Sequence, residues 1–547
     1  MKRRGPDWPA SSRPFLPFSC DFFGDDYQKD LEMKKFRSYE GLVWRTPAML
    51  FSAPNHQTLE RTARHYEPPH IMRVAAPQAL AKSAGAIALA LALSAYTSNG
   101  SGTDTPSVGI LPSPAASAVA SPASQSKDVL PIVETARRAY DFTNAIGIRL
   151  SLDADNGPNS YVDNFDAVGP ALKELKIKYV RTTSQDLTND EQKRRRVTEL
   201  YQKFGINFLF VFGSPLRNIS TMKGSVNWAA ASGAALGFEG PNEWSKFQYA
   251  TADRFRKNWA TEIASYQKEL YDHLRSGPWP TGPIVAPSIW FRDNWAMDQL
   301  KSLGVDEHFT VANLHYYHRN TQKPTQAGRR EPNFKTPIEN DSLALKTDMD
   351  AVIRDLGTHF KPGPYWVTET GEQHGSGGEG GNAVSEVQSA KYVPRLMMEF
   401  FKRDASKIFL FELMDESPGN YGLLRKDKTK RPAYDAVRNL MGILDDNANT
   451  APSFTPQKLN FSLTGIGISH TVLQKSDGSF YVVLWKDVVS NDTSDQAQRT
   501  TLTWNFSSPG VESYYPRTSE SKDQSWTNVT SVPLVVRDDL LVVKITR

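Results

Sequence analysis

From Val129 to about Asp445 the chain alternates short apolar runs with stretches whose apolar residues recur at three and four spacing. No other feature limits the fold as strongly. Ile146–Leu150, Tyr179–Thr183, Asn207–Phe212, Leu236–Glu239, Ile284–Pro287, Thr310–His315, Tyr365–Glu369 and Ile408–Glu412 read as eight strands. Between them, helical periodicity marks Phe165–Leu175, Asp190–Phe204, Arg254–Leu274, Trp295–Leu303, Leu343–Leu356, Val387–Lys402 and Ala433–Leu444, with a weak, alanine-rich connection at Val226–Ala235. Parallel strands need crossover helices, so eight strand-then-helix units predict an α/β fold, a (β/α)8 TIM barrel with its active site at the strand C-terminal ends.

Two glutamates sit at such ends. Gly237-Phe238-Glu239-Gly240-Pro241-Asn242-Glu243-Trp244 follows strand four, and Trp366-Val367-Thr368-Glu369-Thr370-Gly371 ends strand seven. Each is an apolar run leading to a carboxylate just ahead of small, turn-forming residues. A pair of carboxylates across one rim is what glycosidic bond cleavage requires. One acid protonates the leaving oxygen while the other group attacks the anomeric carbon, with the two roughly 5 to 5.5 Å apart in the retaining route. Their environments must push the two pKa values in opposite directions. Singly, Glu243 reads as a helix cap and Glu369 as an arginine partner; as a pair at matching strand ends they read as catalytic. Asn242, next to Glu243, is placed to hydrogen-bond a sugar hydroxyl.

The chain has 547 residues, enough for more than one domain, and its 12 Trp, 20 Tyr and 27 Phe supply large cores and aromatic platforms. With 64 basic and 60 acidic residues the net charge is only +4, which gives no field favouring nucleic acid. One cysteine, Cys20, excludes an intrachain disulfide framework and a cysteine-rich metal site. From Asn460 short runs alternate apolar and polar residues at Thr471–Leu473, Phe480–Trp485, Thr500–Phe506 and Leu534–Ile545, with an Asp477-Gly478 hairpin turn, so a C-terminal β-sandwich is expected. The expected division is an extension over 1–71, a signal-like segment over 72–96, a linker over 97–127, the barrel over 128–450 and the sandwich over 451–547, with a contribution from 128–135.

The segment from Met72 carries Arg73 and Lys82 ahead of the apolar stretch Ala84–Ala95, the order of a secretory signal. The stretch is shorter than the roughly 20 residues a bilayer span needs, so no stable membrane insertion is expected. It resembles a bacterial lipoprotein signal, but Tyr96 stands where the lipidated cysteine would be, which argues against a lipid anchor. A start of translation at Met72 and a secreted or periplasmic location are the expectations. Thr97 to Lys127 is a Ser/Pro/Ala/Gly linker with almost no large apolar residues.

On these residues the chain resembles the large clan of retaining glycoside hydrolases with an Asn-Glu pair on strand four and a glutamate on strand seven, and within it family 39 most of all. The resemblance covers roughly Ile146 to Asp445. It implies Glu243 as acid/base, Glu369 as nucleophile, Arg181 as the arginine orienting the nucleophile, and His315 and Tyr317 as the His-x-Tyr pair of strand six. It also implies a β-sandwich packed on the barrel. Strand eight of the clan carries a tryptophan under the reacting sugar; here Phe411 or Glu412 takes that place.

Other readings are weaker. Asp153-Ala154-Asp155-Asn156-Gly157 lacks the glycine register and distal glutamate of an EF-hand, and His315 with His318 lacks a zinc-hydrolase frame, so no metal and no cofactor is expected. Glu239 reads as a buried supporting carboxylate and Glu372 as the competitor to Glu369. The glycine-rich run from Gly371 to Asn382 is a candidate lid. Trp244, Trp290, Phe291, Trp295, Tyr316 and Tyr317 are candidate sugar platforms. Arg292, Arg319, Arg329 and Arg330 would suit a uronate, although an uncharged pentose or hexose glycoside is the leading expectation. The partner is a carbohydrate, and no pattern specifies an oligomeric state. The rival reading is a carbohydrate-binding or scaffolding barrel without turnover.

Overall fold

The computed structural model describes residues 131–152, 161–245, 258–290, 294–318, 324–325, 349–375, 383–416 and 419–547. The extension, the signal-like segment, the linker, the whole Asp153–Gly157 turn, most of the glycine-rich run, Phe291, Arg292, Arg319, Arg329 and Arg330 lie outside them. Among the described residues no helix is long and apolar enough to cross a membrane.

Two short strands, β1 (Ile132–Thr135) and β2 (Arg137–Arg138), and helix α1 (Ala139–Ala145) precede the barrel. Its strands are β3 (Ile146–Arg149), β4 (Tyr179–Thr183), β5 (Asn207–Val211), β6 (Ala235–Glu239), β7 (Ile284–Val285), β8 (Ala312–Tyr316), β9 (Tyr365–Thr370) and β10 (Lys407–Leu410). They form one parallel sheet in the order β7-β6-β5-β4-β3-β10-β9-β8. A parallel bridge from Val285 to Val311, just ahead of β8, closes the ring. The fold is the expected (β/α)8 barrel. β7 is shorter than the run Ile284–Pro287 because proline has no N–H to give the ladder, and Pro283 and Pro287 flank it.

The outer helices among the described residues are α2 (Phe165–Glu174), α3 (Glu191–Phe204), α4 (Ile219–Ala231), α5 (Trp259–Ser276), α6 (Asn294–Ser302), α7 (Met349–Asp355), α8 (Glu386–Lys402) and α9 (Pro432–Leu444). The connection expected to be short and weak is a full helix, α4. Asn218 caps it by accepting from the N–H groups of Ser220 and Thr221, a side-chain signal that alanine-rich periodicity hides.

Leu209, Val285, Val311, Trp366 and Phe409 fill the lower interior of the barrel. Gly147 is needed there, since a Cβ would sit 2.5 Å from the Phe409 ring. Above this apolar floor the interior turns polar, with Arg181, Glu239, Asn313 and Thr368 all buried.

After α9 come β11 (Lys458–Leu463), β12 (Ile468–Gln474), β13 (Phe480–Lys486), β14 (Gln498–Ser508), β15 (Val511–Tyr514), β16 (Gln524–Trp526), β17 (Val529–Val536) and β18 (Leu541–Ile545). They make two sheets, β1-β11-β14-β17 and β16-β15-β18-β13-β12-β2. The run Leu534–Ile545 is two strands, broken by a turn. Phe461, Val472, Val482, Leu502, Trp504 and Val543 pack between the sheets. The other face of the second sheet, with Leu473, Tyr481, Val483, Trp485 and Val542, joins the barrel's own core cluster. That is why β13 is buried from Phe480 to Trp485 without alternation.

Candidate active site

Arg181 lies mid-strand in β4 and points into the barrel, 4 % exposed. Its Nε and one terminal nitrogen donate to the two oxygens of Glu239, both at 2.7 Å. The same nitrogen donates to Asn242 Oδ1 at 2.6 Å, and the other terminal nitrogen reaches Glu369 Oε1 at 2.6 Å. One guanidinium therefore ties strand four to strand seven in the planar, forked geometry that lysine cannot supply.

Glu369 gets there through a bulge. In β9, Val367 pairs with Leu314, and the next pair is Glu369 with His315, so Thr368 is an extra residue in the ladder. A bulge re-aims side chains. Here it lets both Thr368 and Glu369 face the interior, which strict alternation forbids. Tyr317 completes the surroundings of Glu369, its hydroxyl donating to Glu369 Oε2 at 3.0 Å. Gly371 follows because a Cβ at that position would lie 2.1 Å from the Phe411 carbonyl oxygen.

Glu243 stands beyond β6 with φ of 49°, in the left-handed region where a side chain is uncommon. Its N–H donates to Ser288 Oγ at 2.9 Å, and that hydroxyl in turn meets Asn242 Oδ1 at 3.3 Å. With Arg181 and Ser288 both on the amide oxygen, the NH2 group of Asn242 is the end left to face the cleft.

His315, in β8, joins the halves, with Tyr317 just past the strand's end. Its Nδ1 is 2.7 Å from Glu243 Oε1 and 3.4 Å from Glu369 Oε2, and its Nε2 is 3.0 Å from Thr368 Oγ1. One oxygen of each glutamate and a nitrogen of His315 lie within 4.8 Å of one another. Such a trio can in principle hold a cation. The Arg181 guanidinium, 2.6 Å from Glu369 Oε1, repels a second positive charge, so the donor set suits a metal poorly.

The charges sort themselves by surroundings. Burial pushes the Glu369 carboxyl up, but the charges of His315, Arg181 and Arg149 and the Tyr317 hydrogen bond outweigh it and hold the group below its usual range. For His315 burial pulls downward, and the charge of Glu369 with the Glu243 hydrogen bond wins, leaving the imidazole above its ordinary value. Burial keeps the Tyr317 phenol strongly protonated.

A second charged group borders the first. Arg149, at the end of β3, lies 2.6 Å from both Glu412 and Glu416 and 5.1 Å over the Phe411 ring. Burial, reinforced by the Glu416 charge, pushes the Glu412 carboxyl well above its usual range despite Arg149. Phe411 packs edge-on to Tyr317, with ring centroids 6.4 Å apart, just past β10 and beside the tyrosine that donates to Glu369.

The sequence-nominated residues Arg181, Asn242, Glu243, His315, Tyr317 and Glu369 are thus brought together, with Phe411 at their side. Trp244 is not an open platform: it is 8 % exposed, belongs to the core, and its indole N–H donates to Glu262 Oε2 at 2.8 Å. Trp290 is half-buried, its backbone N–H on Ser245 Oγ. Glu239 is fully buried, as a supporting carboxylate should be. Glu372 is occupied by His318, whose Nε2 is 2.5 Å away. Asn313 and Thr368 were missed. Asn313 donates to Glu239 Oε1 at 3.0 Å and Thr368 donates to Asn313 Oδ1 at 2.6 Å. A lone asparagine within the apolar run Val311-Ala312-Asn313-Leu314 was the available signal.

No protein-family model matches the chain, and no curated protein sequence matches it. Among solved structures it is similar to a xyloglucanase of glycoside hydrolase family 44 from Paenibacillus polymyxa, at 9% identity and a TM-score of 0.44 over 76% of this chain and 99% of that one. A GH5_18 structure from Streptomyces cattleya in complex with GlcNAc gives 12% identity and 0.40 over 59% and 82%. The family 1 β-glucosidase of Thermotoga maritima gives 8% and 0.39 over 55% and 97%. At identities this low, any catalytic role rests on the geometry of this chain's own residues.

Proposed function

We propose that the protein is a retaining glycoside hydrolase with Glu369 as nucleophile and Glu243 as acid/base, of the residue plan that family 39 exemplifies. The observation that carries the reading is the approach of Glu243 and Glu369, one oxygen of each within 4.8 Å, at one rim of the barrel. Retaining enzymes hold their carboxyl groups at about 5–5.5 Å, whereas inverting ones leave about 6.5–9.5 Å for a water.

In the first step the Glu369 carboxylate attacks the anomeric carbon while the bond to the leaving oxygen breaks and Glu243 gives that oxygen its proton. In the second, Glu243 takes a proton from water, whose oxygen displaces Glu369 from the sugar. Arg181 and Tyr317 keep Glu369 ionised and oriented for attack. His315 suits both states of Glu243. Its Nδ1 accepts from the protonated acid when the ring is neutral and donates to the carboxylate when the ring is charged.

The leading substrate class is an uncharged pentose or hexose glycoside. Arg149 is shared by Glu412 and Glu416, which leaves its charge engaged and not available to a uronate carboxylate. The secretory-type order from Met72 to Tyr96 supports export to the periplasm or medium; peptides from Met1 to His70 in the native protein would contradict a start at Met72. The function is tested with a panel of aryl glycosides and NMR of the product anomer. Release of the retained anomer by the wild type, lost in Glu369→Gln, is the expected result. Sugar binding without hydrolysis would indicate the non-catalytic barrel instead.

A further inference from the structure

The loop of the second domain that follows β13, residues 487–495, reaches back across α8 to both flanks of the candidate nucleophile. On one flank, Asp487 Oδ2 accepts from Thr325 Oγ1 at 2.7 Å, and the neighbouring Pro324 carbonyl accepts from the Tyr316 hydroxyl at 2.9 Å. Tyr316 lies between His315 and Tyr317 in sequence. On the other flank, the Ser490 N–H donates to the Tyr392 hydroxyl at 2.7 Å. The Tyr392 ring stands edge-on to His318 with centroids 4.9 Å apart, and His318 Nε2 is 2.5 Å from Glu372.

The same loop grips the start of α8, the helix that follows the nucleophile's strand. Gln388 Nε2 donates to the Ser490 carbonyl at 2.8 Å, Lys391 Nζ to the carbonyls of Asn491 and Ser494 at 3.0 and 2.8 Å, and Ser385 meets Asp492. Arg395, fully buried, anchors the loop's root through Asp487 Oδ1 at 3.2 Å and the Val488 carbonyl at 3.0 Å. A prop that only covered apolar surface would need the sheet face alone. Here polar groups of the loop end on the segments that carry Tyr317 and Glu372, and partners buried in this way hold one geometry.

We infer that loop 487–495 is a positioning element of the active site, acting through Thr325 and Tyr392 to fix Tyr317 against Glu369. This rests on the glycosidase reading for its catalytic consequence and on geometry alone for its structural one. If the Tyr317 hydrogen bond slackens, Glu369 loses one of the groups that keep it ionised, so the acidic limb of kcat/KM must move to higher pH.

The test uses the full chain with Thr325→Val, which cuts the loop contact while leaving Asp487 on Arg395, and Tyr392→Phe, which removes the Ser490 bond while keeping the ring on His318. Against any aryl glycoside the wild type hydrolyses, Thr325→Val is expected to lower kcat/KM by about 10- to 100-fold, as a small misplacement of a reacting group does. Its acidic limb should shift upward, with both effects restored in Thr325→Ser. Wild-type kcat/KM and an unmoved acidic limb in both variants overturn the inference, even if Tm falls. Should the wild type hydrolyse nothing, the glycosidase reading fails separately, and the NMR titration of the His315 ring decides. A titration displaced in either variant supports positioning, and one identical to wild type in both overturns it.

Discussion

His315 Nδ1 and Glu243 Oε1 are 2.7 Å apart, and the far side of the same ring decides what that contact means. Thr368 commits its hydroxyl proton to Asn313 Oδ1, so at the 3.0 Å contact with His315 Nε2 the ring is the donor. Nδ1 is therefore the nitrogen that gains or loses a proton, facing the candidate acid.

The pH dependence of stability follows from two opposed shifts. His315 titrates above its unfolded value of about 6.5, so its contribution is fully present below that pH and is lost as pH rises through the native value. Glu369 titrates below its unfolded value of about 4.3, so its contribution is present above that pH and is lost as pH falls through the native value. Urea denaturation across pH should give a stability maximum between the two, and His315→Gln should flatten the alkaline side.

Removing either carboxylate should abolish most turnover in different ways. Glu369→Gln leaves no nucleophile and is expected to be inactive on every glycoside. Glu243→Gln should lose about 10²–10⁴-fold on poor leaving groups, the usual worth of general acid catalysis, and much less on activated aryl glycosides in the first step. Equal losses on good and poor leaving groups would remove Glu243 from the acid role.

Arg181→Met strands two carboxylates in the barrel. Breaking a buried ion pair by deleting one partner costs about 3–5 kcal/mol. The variant should show that loss by denaturant titration, and its remaining activity should need higher pH because Glu369 has lost a neighbouring cation. Glu239→Gln, which keeps the shape, should be the milder of the two.

Sugar charge should matter. Arg149 is already bonded to Glu412 and Glu416, so its guanidinium is not available to pair with a uronate carboxylate. In matched neutral and uronide aryl glycosides of one configuration, kcat/KM should favour the neutral member by about 100-fold or more. A preference for the uronide would assign the cleft a different cation.

Trp244 should behave as a packing residue. Trp244→Phe removes the indole hydrogen bond to Glu262 and is expected to cost about 1–2 kcal/mol while leaving KM within twofold. A large rise in KM at unchanged Tm would return Trp244 to the sugar.

The strand and helix runs of the barrel were legible because the strands are largely buried and most helices bury one face, which writes a period into local sequence; α8, buried without a break from Ser389 to Phe401, is the exception. Arg181, Glu243, His315, Tyr317 and Glu369 could be nominated from the sequence because polar residues interrupt or follow apolar runs at matching strand ends, a pattern that singles them out as a set though not one by one. Less could be seen where a signal depends on a neighbour distant in the chain. The bulge at Thr368 exists only relative to β8 and β10, and it alone brings consecutive residues of β9 to the same face. The burial of Trp244 depends on its place in the core and its indole partner Glu262 on α5, and the single arginine serving Glu412 and Glu416 comes from the opposite end of the barrel sequence.

Local periodicity thus settled how many strand-helix units there are and which carboxylates end them, because burial repeats with the geometry of each element. The distance between Glu243 and Glu369, the tautomer of His315, and the reach of loop 487–495 toward Tyr317 came only with ring closure and domain packing. They are relations between side chains far apart along the backbone, and no spacing in a linear chain encodes an ångström between strands.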